Sequence, residues 1–178
     1  MIKNVIILSS SPRKSGNSNI LCEQFMLGVQ EAGHHAEMIY FRDKKINYCT
    51  GCGTCFNKKS CSQKDDMAEI LGKMIAADVI VMATPVYFYT MCGQMKTLID
   101  RTCARYTDIN NKDFYFIITA AVNNKKSLER TVEEFRGFMS CLNSPREKGV
   151  IYGTGAWNIG DVKKSDAMNK AYEMGADI

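Results

Sequence analysis

Near-continuous apolar runs alternate along the chain with segments whose apolar positions recur every three or four residues. A run apolar at every position suits a strand buried on both faces, whereas the wider spacing gives a helix one apolar stripe. Five runs read as strands: Asn4 to Ser9, His35 to Phe41, Val79 to Ala83, Phe114 to Val122 and Gly149 to Gly153. Leu21, Phe25, Gly28, Val29 and Ala32 mark a first helix, capped at Asn17 or Ser18 and stopped at Gly33. A second follows Asp65 or Asp66, with Met67, Ile70, Leu71, Met74 and Ile75 turned inward. A third spans Met91 to Ala104, with Met95, Leu98, Ile99 and Thr102 inward. A fourth opens at Ser127 and carries Leu128, Val132, Phe135 and Leu142, and the last runs from about Lys164 to Met174.

Strand and helix in strict alternation fold most economically into a doubly wound α/β sheet, five-stranded and parallel, with helices on both faces. For a chain this short the flavodoxin-like order 2-1-3-4-5 is predicted, which centres a ligand site on the loops after strands one and three. These are Ser10 to Ser18 and Thr84 to Thr90. Residues 1–178 are read as one domain with a cysteine-rich insertion at about 42–64.

Composition narrows the class. At 178 residues, 46% hydrophobic and 24% charged, the chain can fill one core and is unlike a disordered or linker sequence. The longest nearly apolar run, Phe114 to Val122, falls well short of the roughly 20 residues a membrane-spanning helix needs. Val5 to Leu8 is too short for a secretory core, so a cytoplasmic location without a membrane partner is expected. A net charge of +4 is too mild for a nucleic-acid partner, but residues 1–64 hold nine basic and four acidic side chains. An anion held by the first third of the chain would use that excess.

The run from Ser9 through Ser10, Ser11, Pro12, Arg13, Lys14, Ser15, Gly16 and Asn17 to Ser18 leaves a buried strand and opens a helix. Unpaired backbone N–H groups and the helix dipole attract an anion there, and hydroxyl side chains and Arg13 add donors for a terminal phosphate. The run is neither the dinucleotide G-x-G-x-x-G nor the triphosphate G-x-x-x-x-G-K-[ST] pattern. In the loop after strand three, Pro85, Val86, Tyr87, Phe88 and Tyr89 offer a rigid bend and aromatic rings where a planar ring system could lie.

Four of the eight cysteines, Cys49, Cys52, Cys55 and Cys61, form one compact run. Three thiols at two-residue intervals with a fourth nearby suit a [4Fe-4S] cube better than zinc, which more often uses two separated C-x-x-C knuckles. Zinc and free redox-active thiols are the alternatives. Lys44, Lys45, Lys58 and Lys59 would offset the charge of a thiolate-bound cluster. The scattered Cys22, Cys92, Cys103 and Cys141 are read as small buried apolar groups. His34 and His35 read as a solvated turn, and Lys96, Asp100 and Arg101 as a helix face tied by ion pairs. Trp157 is a candidate cover for a ligand or partner surface.

The phosphate-loop run, the cysteine run, Lys64 to Met67, Asp78 to Val81, Thr84 to Phe88 and Lys96 to Arg101 together resemble the NADPH-dependent FMN reductase superfamily, in its iron-sulfur flavoprotein branch. That family's first loop usually begins Gly-Ser-Pro-Arg, and Ser10 stands in place of the Gly. The resemblance implies a flavodoxin-like fold and a noncovalent FMN. It assigns the phosphate to Ser11, Arg13, Ser15, Asn17 and Ser18, and the ring to Pro85, Val86, Tyr87 and Phe88. Ser9 opens the same loop and is carried as a further cofactor-binding candidate. Assembly as a homodimer or homotetramer is implied as well.

Flavin chemistry then predicts an oxidoreductase that passes electrons from NAD(P)H or a ferredoxin-like donor to a small acceptor such as a quinone, a flavin or an oxygen species. No catalytic side chain is required, because N5 of the flavin carries the chemistry. The alternative is a noncatalytic flavodoxin-like electron carrier or a redox-sensing module.

Overall fold

The computed structural model describes all 178 residues. Its strands are β1 (Asn4–Ser9), β2 (His35–Tyr40), β3 (Val79–Tyr87), β4 (Thr90–Met91), β5 (Asp113–Thr119) and β6 (Arg146–Gly153). Five are parallel in the spatial order β2-β1-β3-β5-β6, while β4 pairs antiparallel with the end of β3. Apart from β4, this is the doubly wound order expected. The sixth strand arises because β3 runs on past Ala83 to Tyr87, where the chain folds back in a hairpin instead of leaving the sheet as a loop.

The helices are α1 (Asn17–Glu31), α2 (Thr54–Lys58), α3 (Met67–Ala76), α4 (Gly93–Arg101), α5 (Glu129–Met139) and α6 (Ala167–Ala176). The short α2 lies within the cysteine-rich connection and was not predicted. Because strand side chains alternate, β1 sends Val5 and Ile7 toward one face and Ile6 and Leu8 toward the other. The first pair packs with Phe25 and Val29 of α1 and Ala171 of α6. The second packs with Ile70 and Met74 of α3, Leu98 of α4 and Phe135 of α5. Where α1 and α6 cross, neither helix has room for a side chain at its glycine. A Cβ on Gly175 would come 2.1 Å from the Phe25 carbonyl oxygen, and one on Gly28 would come 2.2 Å from that of Tyr172.

Strand register brings the carboxyl ends together. Ser9 pairs with Ala83, Pro85 with Thr119, and Thr119 with Gly153. The loops leaving β1, β3, β5 and β6 therefore start from one level of the sheet, and whatever they hold is held jointly.

Candidate functional site

At that level a pocket of about 110 Å³ opens. The first loop lines it with Ser11, Arg13, Gly16, Asn17 and Ser18, and the end of β3 with Pro85, Val86 and Tyr87. Seven residues singled out from the sequence (Ser11, Arg13, Asn17, Ser18, Pro85, Val86 and Tyr87) thus stand together. Three others stand apart. Ser9 is buried beneath the loop and bonded to Asn19. Ser15 is exposed and faces another depression beside Ile20 and Glu23. Phe88 projects from the hairpin tip, 98% exposed. The pocket is completed by Thr119 at the end of β5, by Ala120 and Ala121 just after it, and by Ala156 and Trp157 after β6. Thr119 and Ala156 carried no sequence signal, because small side chains at strand ends look the same whether or not they face a ligand.

Gly16 precedes α1 with extended backbone, and no side chain caps the helix. A Cβ at this position would come 2.5 Å from Ser11 Oγ, so glycine keeps the cradle open. The amides of the first helical turn are thereby left to an external acceptor. Asn17 is committed elsewhere: its Nδ2 donates to the carbonyls of Ala156 and Asn158 at 3.1 and 2.8 Å, and its Oδ1 accepts from Gly160 N at 2.9 Å. Arg13 Nη1 donates to the Trp157 carbonyl at 3.0 Å, and Ser18 Oγ lies 2.6 Å from Thr119 Oγ1. These bonds draw the loop after β6 over the one after β1. Ser11 Oγ donates to the Arg13 carbonyl at 3.5 Å and accepts from Arg13 N at 3.3 Å, so the free donors are the helix amides and the rest of the Arg13 guanidinium.

The hairpin at the rim is unusual in its residues. Phe88 and Tyr89 both have positive φ, 51° and 63°, in a two-residue turn of the kind that favours Asn-Gly. Such strain persists only where neighbours fix it. Here Met91 N donates to Glu134 Oε2 at 2.7 Å, and Thr90 Oγ1 to the Tyr87 carbonyl at 3.0 Å. A larger groove, about 680 Å³, lies on the far side of this hairpin between α4 and α5, against Ile99, Cys103, Phe138 and Cys141. Its basic side chain, Lys96, is paired with Asp100 at 2.6 Å and Glu134 adds a further negative charge, so an anion is better served by the strand-end pocket.

The cysteine-rich connection between β2 and α3 is clasped at its ends. Lys45 N donates to Asp66 Oδ2 at 2.6 Å, and Asn47 N donates to Asp65 Oδ2 at 3.0 Å. Arg101, at the end of α4, closes the clasp: Nη1 donates to the Asn47 carbonyl at 2.6 Å and to Asp65 Oδ2 at 2.7 Å, and Nη2 to Asp65 Oδ1 at 2.9 Å. The Arg101 and Asp65 side chains are 1% and 0% exposed. The guanidinium holds the Asp65 carboxyl down at about 2. Arg101 Nε is the one buried side-chain nitrogen or oxygen in the molecule with no hydrogen-bond partner.

Between the clasped ends Cys49 and Cys52 are exposed, Cys55 and Cys61 are half-buried, and all four thiols are free. They do not converge: no three His, Cys, Asp or Glu side chains come within reach of a common ion. The Thr54 and Ser62 hydroxyls, 3.4 and 3.6 Å from Cys52 Sγ, help pull its pKa down to about 6, with Thr54 the leading cause. The scattered cysteines were expected to be buried. Cys22 and Cys92 are, but Cys103 is half-buried and Cys141 exposed. Cys103 follows α4, whose end lies against α2, and its thiol pKa is raised by burial first and then by Cys55 and Cys49. A fifth thiol thus stands beside the cysteine loop, which its distance along the chain concealed.

A doubly wound parallel sheet with an uncapped helix and a glycine cradle at the end of β1 defines a flavodoxin-like protein. The profile of the NADPH-dependent FMN reductases matches residues 3–152, and the chain belongs to that family. An iron-sulfur flavoprotein of Archaeoglobus fulgidus is 43% identical over 100 residues, 56% of this chain and 45% of the relative. A second from the same organism is 39% identical over 123 residues, 67% of this chain and 60% of the relative. The chain spans about half the length of the curated relatives it matches. Among solved structures, an NAD(P)H:quinone oxidoreductase from Methanothermobacter marburgensis superposes with a TM-score of 0.75 at 17% identity, over 99% of this chain and 97% of the other.

Proposed function

We propose that this chain is an FMN-dependent oxidoreductase that takes electrons from NAD(P)H or a ferredoxin-like donor and passes them to a small acceptor such as a quinone, a free flavin or an oxygen species. The observation that carries the reading is the cradle around Gly16, where helix amides, the Ser11 hydroxyl and Arg13 surround space that a Cβ would fill. Bound there, FMN supplies a ring that accepts a hydride and releases electrons singly. At about 110 Å³ the pocket suits the phosphate end of such a ligand, and Pro85, Val86 and Tyr87 offer a surface for the rest. Ser11, Arg13 and the first turn of α1 bind the phosphate, while Asn17 and Ser18 position the loops after β6 and β5. Ser9, Ser15 and Phe88 stay in the proposed set only as supports, given their places outside the pocket.

Cys49, Cys52, Cys55 and Cys61 would hold a [4Fe-4S] cluster, which supplies a one-electron exit. The donor chemistry suits such a cluster, four free thiols in a loop fastened at its ends, although no three of them stand within reach of a common ion. The loop would have to draw its thiols together around the cluster. The same reading makes residues 1–178 one domain of a cytoplasmic homodimer or homotetramer, and the exposed Phe88, Tyr89 and Trp157 beside the pocket are aromatic surface for such assembly.

Purification without air, followed by quantification of FMN, iron and acid-labile sulfide per chain and by NADH and NADPH oxidation assays, tests this. Stoichiometric FMN and turnover without a partner reductase are expected. Colourless protein that takes up no FMN at micromolar concentration would defeat the reading. Bound FMN without NAD(P)H oxidation would point to the electron carrier instead.

A further inference from the structure

Asn17 stands among the residues that the resemblance gives to phosphate, yet its side chain has no donor left to offer. An amide carries two N–H groups and one oxygen acceptor. Here one N–H goes to the Ala156 carbonyl at 3.1 Å, the other to the Asn158 carbonyl at 2.8 Å, and Oδ1 accepts from Gly160 N at 2.9 Å. Asn17 is buried, so water has little access to these bonds. All three partners lie in one short segment after β6, from Gly155 to Gly160. Both end glycines have positive φ, 66° and 91°, which lets the chain turn sharply out of its path and back. In the sheet, β3 and β5 stand between β1 and β6, so a segment tied to the first residue of α1 passes the ends of both. Ala156 and Trp157 of this segment line the strand-end pocket. Its other side-chain tie to the first loop is the Arg13 bond to the Trp157 carbonyl, and a phosphate in the pocket would draw on the same guanidinium.

We propose that Asn17 is a positioning residue that pins the segment from Gly155 to Gly160 as a strap, and that it supports the hold on the flavin ring through Trp157 rather than the hold on the phosphate. The inference rests on the reading that the pocket receives FMN. At about 110 Å³ the pocket is well below the roughly 300 Å³ of a small drug-sized site, so the ring is held at its rim. Beside Pro85, Val86 and Tyr87, the rim offers the Trp157 side chain, 70% exposed and free to meet a planar ring. A strap fastened before the ligand arrives presents that indole ready for contact. A loose strap must first be ordered, which subtracts from affinity.

The test compares FMN with riboflavin, which has the same ring and no phosphate, by fluorescence titration of the full-length apoprotein. Alanine is a good helix former, so Asn17→Ala leaves the amides of the first turn in place for the phosphate. The variant should bind both ligands more weakly by the same factor, about tenfold, the size expected when one large side chain has to be ordered on binding. A loss confined to FMN would make Asn17 a phosphate ligand and overturn the inference. Trp157 is the single tryptophan of the chain and reports the strap directly. The anisotropy of its emission should fall in the variant before any ligand is added, and an unchanged value would also overturn the inference. Trp157→Ala alters a mostly exposed side chain and decides the question if Asn17→Ala does not fold: it should weaken FMN and riboflavin alike, and wild-type affinity for both would sink the proposal. Wild-type protein that binds FMN but has no measurable hold on riboflavin overturns the inference and leaves the FMN reading standing. Wild-type protein that takes up no FMN overturns that reading, and the inference with it.

Discussion

Cys92 Sγ lies 3.1 Å from Ser10 Oγ, and this contact joins the loop after β1 to the start of α4. Ser10 Oγ donates in turn to the Ala83 carbonyl at 2.8 Å, and Cys92 N donates to Thr84 Oγ1 at 3.0 Å. The two loops that shape the pocket are therefore coupled beneath it by buried side chains. Ser10, standing where the family usually has glycine, supplies the link. Ser10→Ala and Cys92→Ala should each cost about 1–2 kcal/mol in urea unfolding. In the double variant the losses should fall short of their sum by about 0.5 kcal/mol or more. Strict additivity would show that the two residues do not act as a pair.

Arg13 has two partners to serve, the Trp157 carbonyl at 3.0 Å and the phosphate proposed for the pocket. Removing it takes away a charge-assisted bond of about 1.5–3 kcal/mol, so Arg13→Ala should weaken FMN binding by roughly 10- to 100-fold. Fluorescence titration of apoprotein measures this directly. Full flavin retention at sub-micromolar protein would remove Arg13 from the site.

Asp65 makes stability depend on pH. Its carboxyl is held at about 2, below the ordinary 3.8, chiefly by hydrogen bonding to Arg101. The folded form thus binds the proton more weakly than the unfolded form does. The stabilisation, about 2 kcal/mol, is complete above about pH 4 and is lost as pH falls toward 2. Urea midpoints of the apoprotein between pH 5 and 2 should show a fall that is absent from the Arg101→Met, Asp65→Leu double variant.

The α1–α6 crossing sets a steric limit. Gly175→Ala would drive a methyl group to 2.1 Å from the Phe25 carbonyl oxygen, and overpacking against backbone should cost about 1–3 kcal/mol. Gly72→Ala, on the open side of α3 with nothing within 4 Å, should stabilise by about 0.5–1 kcal/mol. Thermal melts of the two variants should move in opposite directions.

The sheet was legible because its strands are apolar throughout: Ile6 and Ile7 lie on opposite faces, and both are buried. The phosphate-type loop was legible from its place between a strand and a helix. The β3–β4 hairpin was not, since Phe88 and Tyr89 are poor candidates for consecutive positive φ and Pro85 argues against an extending strand. Lys96 and Asp100 do form the expected ion pair on an exposed helix face, at 2.6 Å. Arg101, their neighbour, turns inward to a carboxylate 36 positions earlier, a pairing that no local pattern encodes. Trp157 and Thr119 reach the pocket only through the register of β5 and β6.

Because Asn47 and Asp65 are fastened to each other and to one guanidinium, the span between them behaves as an exchangeable cartridge on a fixed mount. Lengthening a closed loop changes its entropy only slowly, so inserts with other cysteine spacings can be seated there while the sheet and the pocket at the end of β1 keep their shape. The scaffold separates the evolution of the cysteine loop from that of the pocket at the end of β1.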